Sequence, residues 1–207
     1  EFAYLYRKYE AEVTIVEMLP RLVPLEDEEI SDHLERSFDR QGIKAMTGSQ
    51  VNGIEVDGDA AKVSVSNGTG TSEIDCDRVL VAVGMQGNIA GIGLEDVGVA
   101  TERGYIVIDD QMQTNIPGVY AIGDVTGKLL LAHVASAQGV TAVEVIAGLE
   151  PPKLDYQTMP RATYCHPQVA SLGLTEAEAR ERGHSVKIGK FPFSASGKAL
   201  ALGETEG

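Results

Sequence analysis

At 207 residues the chain has room for one large domain or two small ones, and its 43% hydrophobic and 23% charged residues are an ordinary globular balance. It carries 31 acidic and 17 basic residues, a formal net charge of −14, which argues against nucleic acid and anionic membrane as partners and fits solubility. No apolar run reaches membrane-spanning length and no signal peptide is visible; the two cysteines, Cys76 and Cys165, form neither C-x-x-C nor C-x-x-x-x-C, so they mark no metal site or redox disulfide and fit a reduced, cytosolic compartment.

The chain opens without Met, and Phe2, Leu5, Tyr6 and Tyr9 already follow helical spacing, so it reads as a piece of a longer protein whose first ten residues are a helix tail. Val13-Thr14-Ile15-Val16 is a β-branched strand ending at Glu17. Residues 26–41 form a second helix, with Ile30, Leu34 and Phe38 on one face, acids in the first turn and Gly42 at the C-terminal cap. This is a βαβ rhythm without its first strand. Two strands, 51–56 and 61–65, flank the hairpin signal Asp57-Gly58-Asp59, and a short edge strand follows at 72–75. Residues 79–83, Val-Leu-Val-Ala-Val, are apolar throughout, as a strand buried on both faces should be, and Gly84 ends them.

A loop-like stretch then closes in a strand at 105–108. Residues 114–124 read as a turn, a short apolar strand and a Gly-Asp stop. After Leu129-Leu130-Leu131-Ala132-His133 comes an Ala/Val-rich helix at 134–149, small and apolar enough to press closely against other elements. Pro151-Pro152 marks a boundary. Beyond it lie strands near 162–164 and 169–172, a capping box Thr175-Glu176-Ala177-Glu178 opening a helix that Gly183 ends, and a strand at 186–191.

Several residues are candidates for binding chemistry. A carboxylate at the end of a βαβ strand, as Glu17 is, hydrogen-bonds adenosine ribose hydroxyls and repels a 2′-phosphate, favouring NAD over NADP; a lone Glu at a strand end is more commonly a solvated surface residue. Gly84 is either a cofactor approach or a plain turn glycine. Asp124 offers a carboxylate at the carboxyl end of the sheet, and its bland alternative is an N-cap or turn aspartate. The helix start after Ala132-His133 offers free N–H groups suited to a flavin carbonyl or a phosphate, while His133 could equally be a core or capping histidine. Cys165-His166 is a poor nucleophile pair, because sequence neighbours on a strand point opposite ways.

The 114–124 run resembles the second flavin-binding motif of the flavoprotein disulfide reductases. Together with residues 13–17, 79–84, 129–139, 166–176, 189–193 and 197–199, it resembles the dihydrolipoamide dehydrogenase branch over essentially the whole chain. That resemblance implies an α/β fold built from partial Rossmann-like NAD and FAD portions plus the start of an α+β dimerisation domain. It divides the chain into a partial NAD-binding domain (1–84), the C-terminal part of an FAD-binding domain (85–158) and the start of an interface domain (159–207).

It implies FAD and NAD as cofactors and assigns cofactor contacts position by position. Glu17 would hold the NAD adenosine ribose, Glu1 would lie near the nicotinamide, and Val51 and Gly84 would contact NAD; Asp124 would bind the ribityl–phosphate side of the flavin, and Leu130, Leu131, Ala132 and His133 would approach its ring. The implied activity passes electrons from dihydrolipoamide through a redox disulfide and FAD to NAD. The implied partners are lipoyl domains of 2-oxoacid dehydrogenase complexes and a second copy in a homodimer. The disulfide, the glycine-rich loops and the catalytic His–Glu pair of that branch are not among these residues, so no catalytic residue is assigned and the chain alone is expected to be inactive. A mercuric or glutathione reductase-like enzyme and a non-catalytic interaction module remain as alternatives.

Overall fold

A computed structural model describes residues 1–207, which divide into two compact units. One comprises residues 1–80 and 162–207, the other residues 81–161.

The first unit is built on a parallel βαβ crossover. Helix α1 (Phe2–Lys8) leads to β1 (Val13–Val16), α2 (Glu28–Arg40) and β2 (Ile43–Met46). Strands β1 and β2 run parallel, with Val13 opposite Ile43 and Val16 opposite Met46. The β2 strand had no counterpart in the sequence reading: its four residues follow Gly42 at once, and Lys44 interrupts the apolar pattern. Helix α2 turns Ser31, Leu34, Ser37 and Phe38 inward, at the i, i+3, i+6 and i+7 positions of one stripe. Leu34 and Phe38 join Leu22, Ile43, Cys165 and Val169 in one core, so the segment after residue 162 is packed against the crossover. The two serines on that stripe are satisfied: Ser31 Oγ donates to the Val23 carbonyl (3.3 Å), and Gln41 Nε2 donates to Ser37 Oγ (3.1 Å) and to the His166 carbonyl (2.7 Å).

An antiparallel meander follows: β3 (Gln50–Asp57), β4 (Ala60–Asn67) and β5 (Gly70–Cys76), with β4 central. The period of two in β4 puts Ala61, Val63 and Val65 on the buried face. On the opposite face Lys62 lies 3.1 Å from Glu73, whose hydrogen bond and charge raise the lysine pKa.

In the second unit, α3 (Leu94–Val97) precedes a two-residue hairpin, β6 (Thr101–Glu102) and β7 (Tyr105–Ile106). Helix α4 (Ala132–Ile146) is its longest element. Val99, Ile106, Ile108, Met112, Ala121 and Ala142 form the core. The last part of the chain adds the paired strands β8 (Arg161–Thr163) and β9 (Val169–Ser171), then α5 (Glu176–Glu181) and α6 (Gly197–Leu202). The expected capping box is formed, with Thr175 Oγ1 accepting from the Glu178 N–H and the Glu178 carboxylate accepting from the Thr175 N–H. No helix is long and apolar enough to cross a membrane.

Three expectations change. Residues 79–83 form no strand, and Val83 is 94% exposed. An all-apolar parallel strand is stable only between ladder partners and under helices on both faces, and here no strand pairs with this run. Residues 186–191 likewise lack a strand partner and run as irregular chain. Helix α4 is not enclosed on most faces: it buries Val134, Gln138, Thr141 and Ala142, one stripe at i, i+4, i+7 and i+8, and leaves Val140, Val143 and Ile146 exposed.

Phe38 fills the first core from the α2 side. Truncation of so buried an aromatic removes about 3–5 kcal/mol. Phe38→Ala is therefore expected to lower the denaturant midpoint of the unit holding residues 1–80 by that equivalent, as read by equilibrium unfolding.

Candidate cofactor-binding site

The Gly-Asp run is a folded turn held from three directions. Thr114 Oγ1 accepts from the Ile116 N–H (3.2 Å) and donates to the Val119 carbonyl (3.0 Å). Asn115 accepts from the Ala100 N–H at Oδ1 (2.7 Å) and donates from Nδ2 to the Gly98 carbonyl (2.8 Å). Backbone bonds from Thr114 N–H to Val119 O (2.9 Å) and from Ala121 N–H to Met112 O (3.1 Å) fold residues 119–121 back along 112–114. The apolar strand expected here is thus reduced to a single bridge, Gln113 with Tyr120. Its partner is the chain just before the turn.

At Ile122 the backbone is extended, and Gly123–Thr126 then form one 3₁₀ turn. Gly123 has φ 77°, a left-handed conformation that glycine adopts without penalty. It also lies close to the next helix: a Cβ here would sit 3.4 Å from the Ala135 Cβ. The cap residue of the turn is Ile122, so Asp124 has no N-capping duty. The hydroxyl of Thr126 satisfies the Gly123 carbonyl instead (2.8 Å). The Asp124 side chain is exposed in the first turn.

Helix α4 starts beside this turn. Leu131 is its N-cap residue, extended and without a side-chain cap bond. The N–H groups of Ala132 and His133 are therefore available at the positive end of the helix. Leu130 and Leu131 are half-buried, and Ala132 and His133 exposed. The His133 ring nitrogen Nε2 is 3.0 Å from the Pro160 carbonyl and donates to it, a tethering role that leaves the ring no free base at that atom.

Sequence reasoning missed Gln138. This side chain is 1% exposed. Its Oε1 accepts from the Gly123 N–H at 2.6 Å, and its Nε2 donates to the Tyr156 hydroxyl at 3.0 Å, with Thr126 Oγ1 at 3.5 Å. The only signal in the sequence is a polar residue six positions after Ala132, on an otherwise small and apolar helix stripe.

The remaining candidates lie as follows. Glu17 closes β1, where its N–H donates to the Met46 carbonyl (3.0 Å) and its Oε1 accepts from the Leu19 N–H (2.8 Å). That bond fixes the carboxylate at the carboxyl end of the parallel pair and uses one of its two oxygens. The Glu17 carbonyl accepts from the Ser49 N–H (2.9 Å), and the Leu19 carbonyl from the Gly48 N–H (2.8 Å), so the segment leading into Val51 is brought alongside Glu17. Val51 itself is exposed at the start of β3, just before a bulge at Asn52. Glu1 is engaged elsewhere in the first unit, its Oε1 accepting from the Tyr164 N–H (2.7 Å). Gly84, in the second unit, has φ 122° and open space where a Cβ would stand. Its conformation, not close packing, is what requires glycine.

Cys165 and His166 form no nucleophile pair. Cys165 is buried, its Sγ–H donates to the Pro167 carbonyl (3.2 Å), and burial pushes the thiol pKa up. The His166 ring faces Tyr4, with centroids 6.3 Å apart. Both cysteines are free.

Comparison with known proteins gives the family. The family model for pyridine nucleotide-disulphide oxidoreductases matches residues 1–139, and that for their dimerisation domain matches residues 159–207. The chain is 51% identical to a dihydrolipoyl dehydrogenase of Mycobacterium leprae and 46% identical to one of Corynebacterium glutamicum, in each case over its full length and 45% of the relative. Among solved structures, LpdA from Mycobacterium tuberculosis superposes with a TM-score of 0.90 at 26% identity, over 100% of this chain and 45% of that one. The HOCl-induced flavoprotein disulfide reductase RclA of Escherichia coli, in its Cu(II) complex, superposes equally well at the same identity, over 100% of this chain and 46% of that one. The chain belongs to the pyridine nucleotide-disulphide oxidoreductase family, with part of the nucleotide-binding region and part of the dimerisation domain. It spans about 45% of the length of the curated relatives it matches.

The raised thiol pKa leaves Cys165 with less thiolate than an ordinary cysteine at any pH below that value, and burial adds a steric barrier. In the native chain, iodoacetamide is expected to label half-buried Cys76 well before Cys165. Unfolding in denaturant should bring the two rates together, as read by peptide mass spectrometry.

Proposed function

We propose that the whole protein is an FAD- and NAD-dependent dihydrolipoyl dehydrogenase. The observation that carries the flavin half is the Gly123–Thr126 turn set against the uncapped start of α4, with the Asp124 carboxylate left exposed. The likeness to relatives named dihydrolipoyl dehydrogenase supports the choice of substrate.

In this reading Asp124 accepts hydrogen bonds from hydroxyls on the ribityl–phosphate side of FAD. Leu130 and Leu131 give an apolar approach to its ring, and the N–H groups of Ala132 and His133 face its carbonyl side. Gly123 lets the backbone come close. Glu17 accepts from the adenosine ribose diol of NAD with the carboxylate that the Leu19 N–H orients. A 2′-phosphate would meet that negative charge, so NADP is disfavoured. Glu1, whose second carboxylate oxygen is not used by the Tyr164 N–H, Val51 and Gly84 are each read as further NAD contacts by resemblance. The residues fall into an NAD portion (1–84), an FAD portion (85–158) and the start of an interface domain (159–207).

In the reaction the two thiols of dihydrolipoamide close to a disulfide, giving up two electrons and two protons, and NAD takes up a hydride with release of one proton. Bound FAD would supply the two-electron relay between dithiol and nicotinamide. The residues of this chain bind and orient; none of them is a catalytic acid, base or redox disulfide. Its two cysteines are free, and one of them is buried. The 207-residue chain alone is therefore inactive. The active protein is a cytoplasmic homodimer that accepts lipoyl domains of 2-oxoacid dehydrogenase complexes.

Steady-state assay of the whole protein with dihydrolipoamide tests this reading. NADH formation, with NAD preferred over NADP, is the expected result; a preference for NADP, or no turnover of dihydrolipoamide, contradicts it. Glu17→Ala should raise the KM for NAD by about 10-fold, the loss of a charge-assisted hydrogen bond, and leave kcat nearly unchanged.

A further inference from the structure

Gln138 is the largest polar side chain among the fully buried residues, and a buried amide this enclosed is retained only where its hydrogen bonds are made. All of its bonds converge on the Gly-Asp turn or on the group that steadies it. Oε1 takes the Gly123 N–H (2.6 Å), and Nε2 reaches Thr126 Oγ1 (3.5 Å), whose hydroxyl closes the same turn on the Gly123 carbonyl (2.8 Å). Nε2 also donates to the Tyr156 hydroxyl (3.0 Å). Tyr156 begins a 3₁₀ turn that Asp155 caps, its Oδ1 accepting from the Gln157 N–H (3.0 Å). The Gly123 N–H can meet only the amide oxygen, which turns the NH₂ end toward the Tyr156 and Thr126 hydroxyls, and those bonds steady that orientation.

We propose that Gln138 is a positioning residue for flavin binding: its amide, oriented by Tyr156, clamps the Gly123 N–H from within α4 and so fixes the direction in which Asp124 is presented. The proposal rests on reading Asp124 as a flavin contact. Gln138 touches no ligand itself. Its effect on affinity passes through one backbone N–H.

The test uses the whole protein, deflavinated and titrated with FAD, alongside amide hydrogen exchange at Gly123. Gln138→Leu keeps the size and removes both ends of the amide. It should weaken FAD binding by about 10–100-fold, the loss of the hydrogen bond that the buried amide makes to the Gly123 N–H, and change the visible circular dichroism of the flavin that still binds. Exchange should speed up at 123–126 while the rest of α4 stays protected. Gln138→Glu, which burial would favour in its protonated form, keeps a carbonyl acceptor for Gly123 and an O–H donor in place of the NH₂ end, and should restore binding to within about 3-fold of the parent. Tyr156→Phe should fall between the two. Unchanged FAD affinity and unchanged Gly123 exchange in Gln138→Leu would overturn the proposal, as would failure of Gln138→Glu to rescue a correctly folded protein. If the unsubstituted protein takes up no FAD, the functional reading fails on its own, and Gly123 exchange still decides whether Gln138 clamps the turn.

Discussion

In the second unit the Gly-Asp turn is tied to α4 by one hydrogen bond, from the Gly123 N–H to Gln138 Oε1 at 2.6 Å. A Gly-Asp stop has little conformational preference of its own, since glycine enters left-handed and right-handed regions alike. Fixing it needs an external partner, and that partner comes from fifteen residues downstream, inside a helix that also supplies the uncapped N–H groups beside the turn. Turn and helix start are thereby set as one piece. Because the Gln138 end of the bond is buried, the amide is held in one place, and its loss would remove an acceptor fixed in position for the Gly123 N–H.

The first unit solves the same problem with the strand ladder and one local side-chain bond. Glu17 is placed by the ladder: the β1–β2 register carries its N–H onto Met46, and its own carboxylate then folds back onto the Leu19 N–H. The core beneath, from Leu34 and Phe38 of α2 to Cys165 and Val169, ties this crossover to chain more than 120 residues away, as the Gln41–His166 bond also does. Stability in that unit and the position of Glu17 thus come from the same packing.

Elements with a local cause were readable from the sequence. The β1 strand, α2 with its glycine stop, the β3–β4 turn and the Thr175 capping box each depend on residues a few positions apart, and each formed. The family likeness and the Gly-Asp turn were readable too, because glycines such as Gly118 and Gly123 act through short-range backbone geometry. What misled was apolar content taken as burial. Residues 79–83 and the outer face of α4 are apolar, yet a buried strand or an enclosed helix needs partners that the residue itself does not specify. Gln138 was hidden for the converse reason. A glutamine in a helix suggests a wet surface, and only the fold reveals that its stripe, shared with Val134, Thr141 and Ala142, is the buried one.

The central claim is that the locked turn presents Asp124 to a flavin. Calorimetric titration of FAD into the deflavinated whole protein, with Asp124→Ala beside the unsubstituted form, tests it most directly. The variant is expected to keep the melting temperature of the apoprotein and to lose about 10–100-fold in FAD affinity, as befits a carboxylate that accepts ligand hydroxyls and caps nothing. Equal FAD affinity in the two proteins would contradict it.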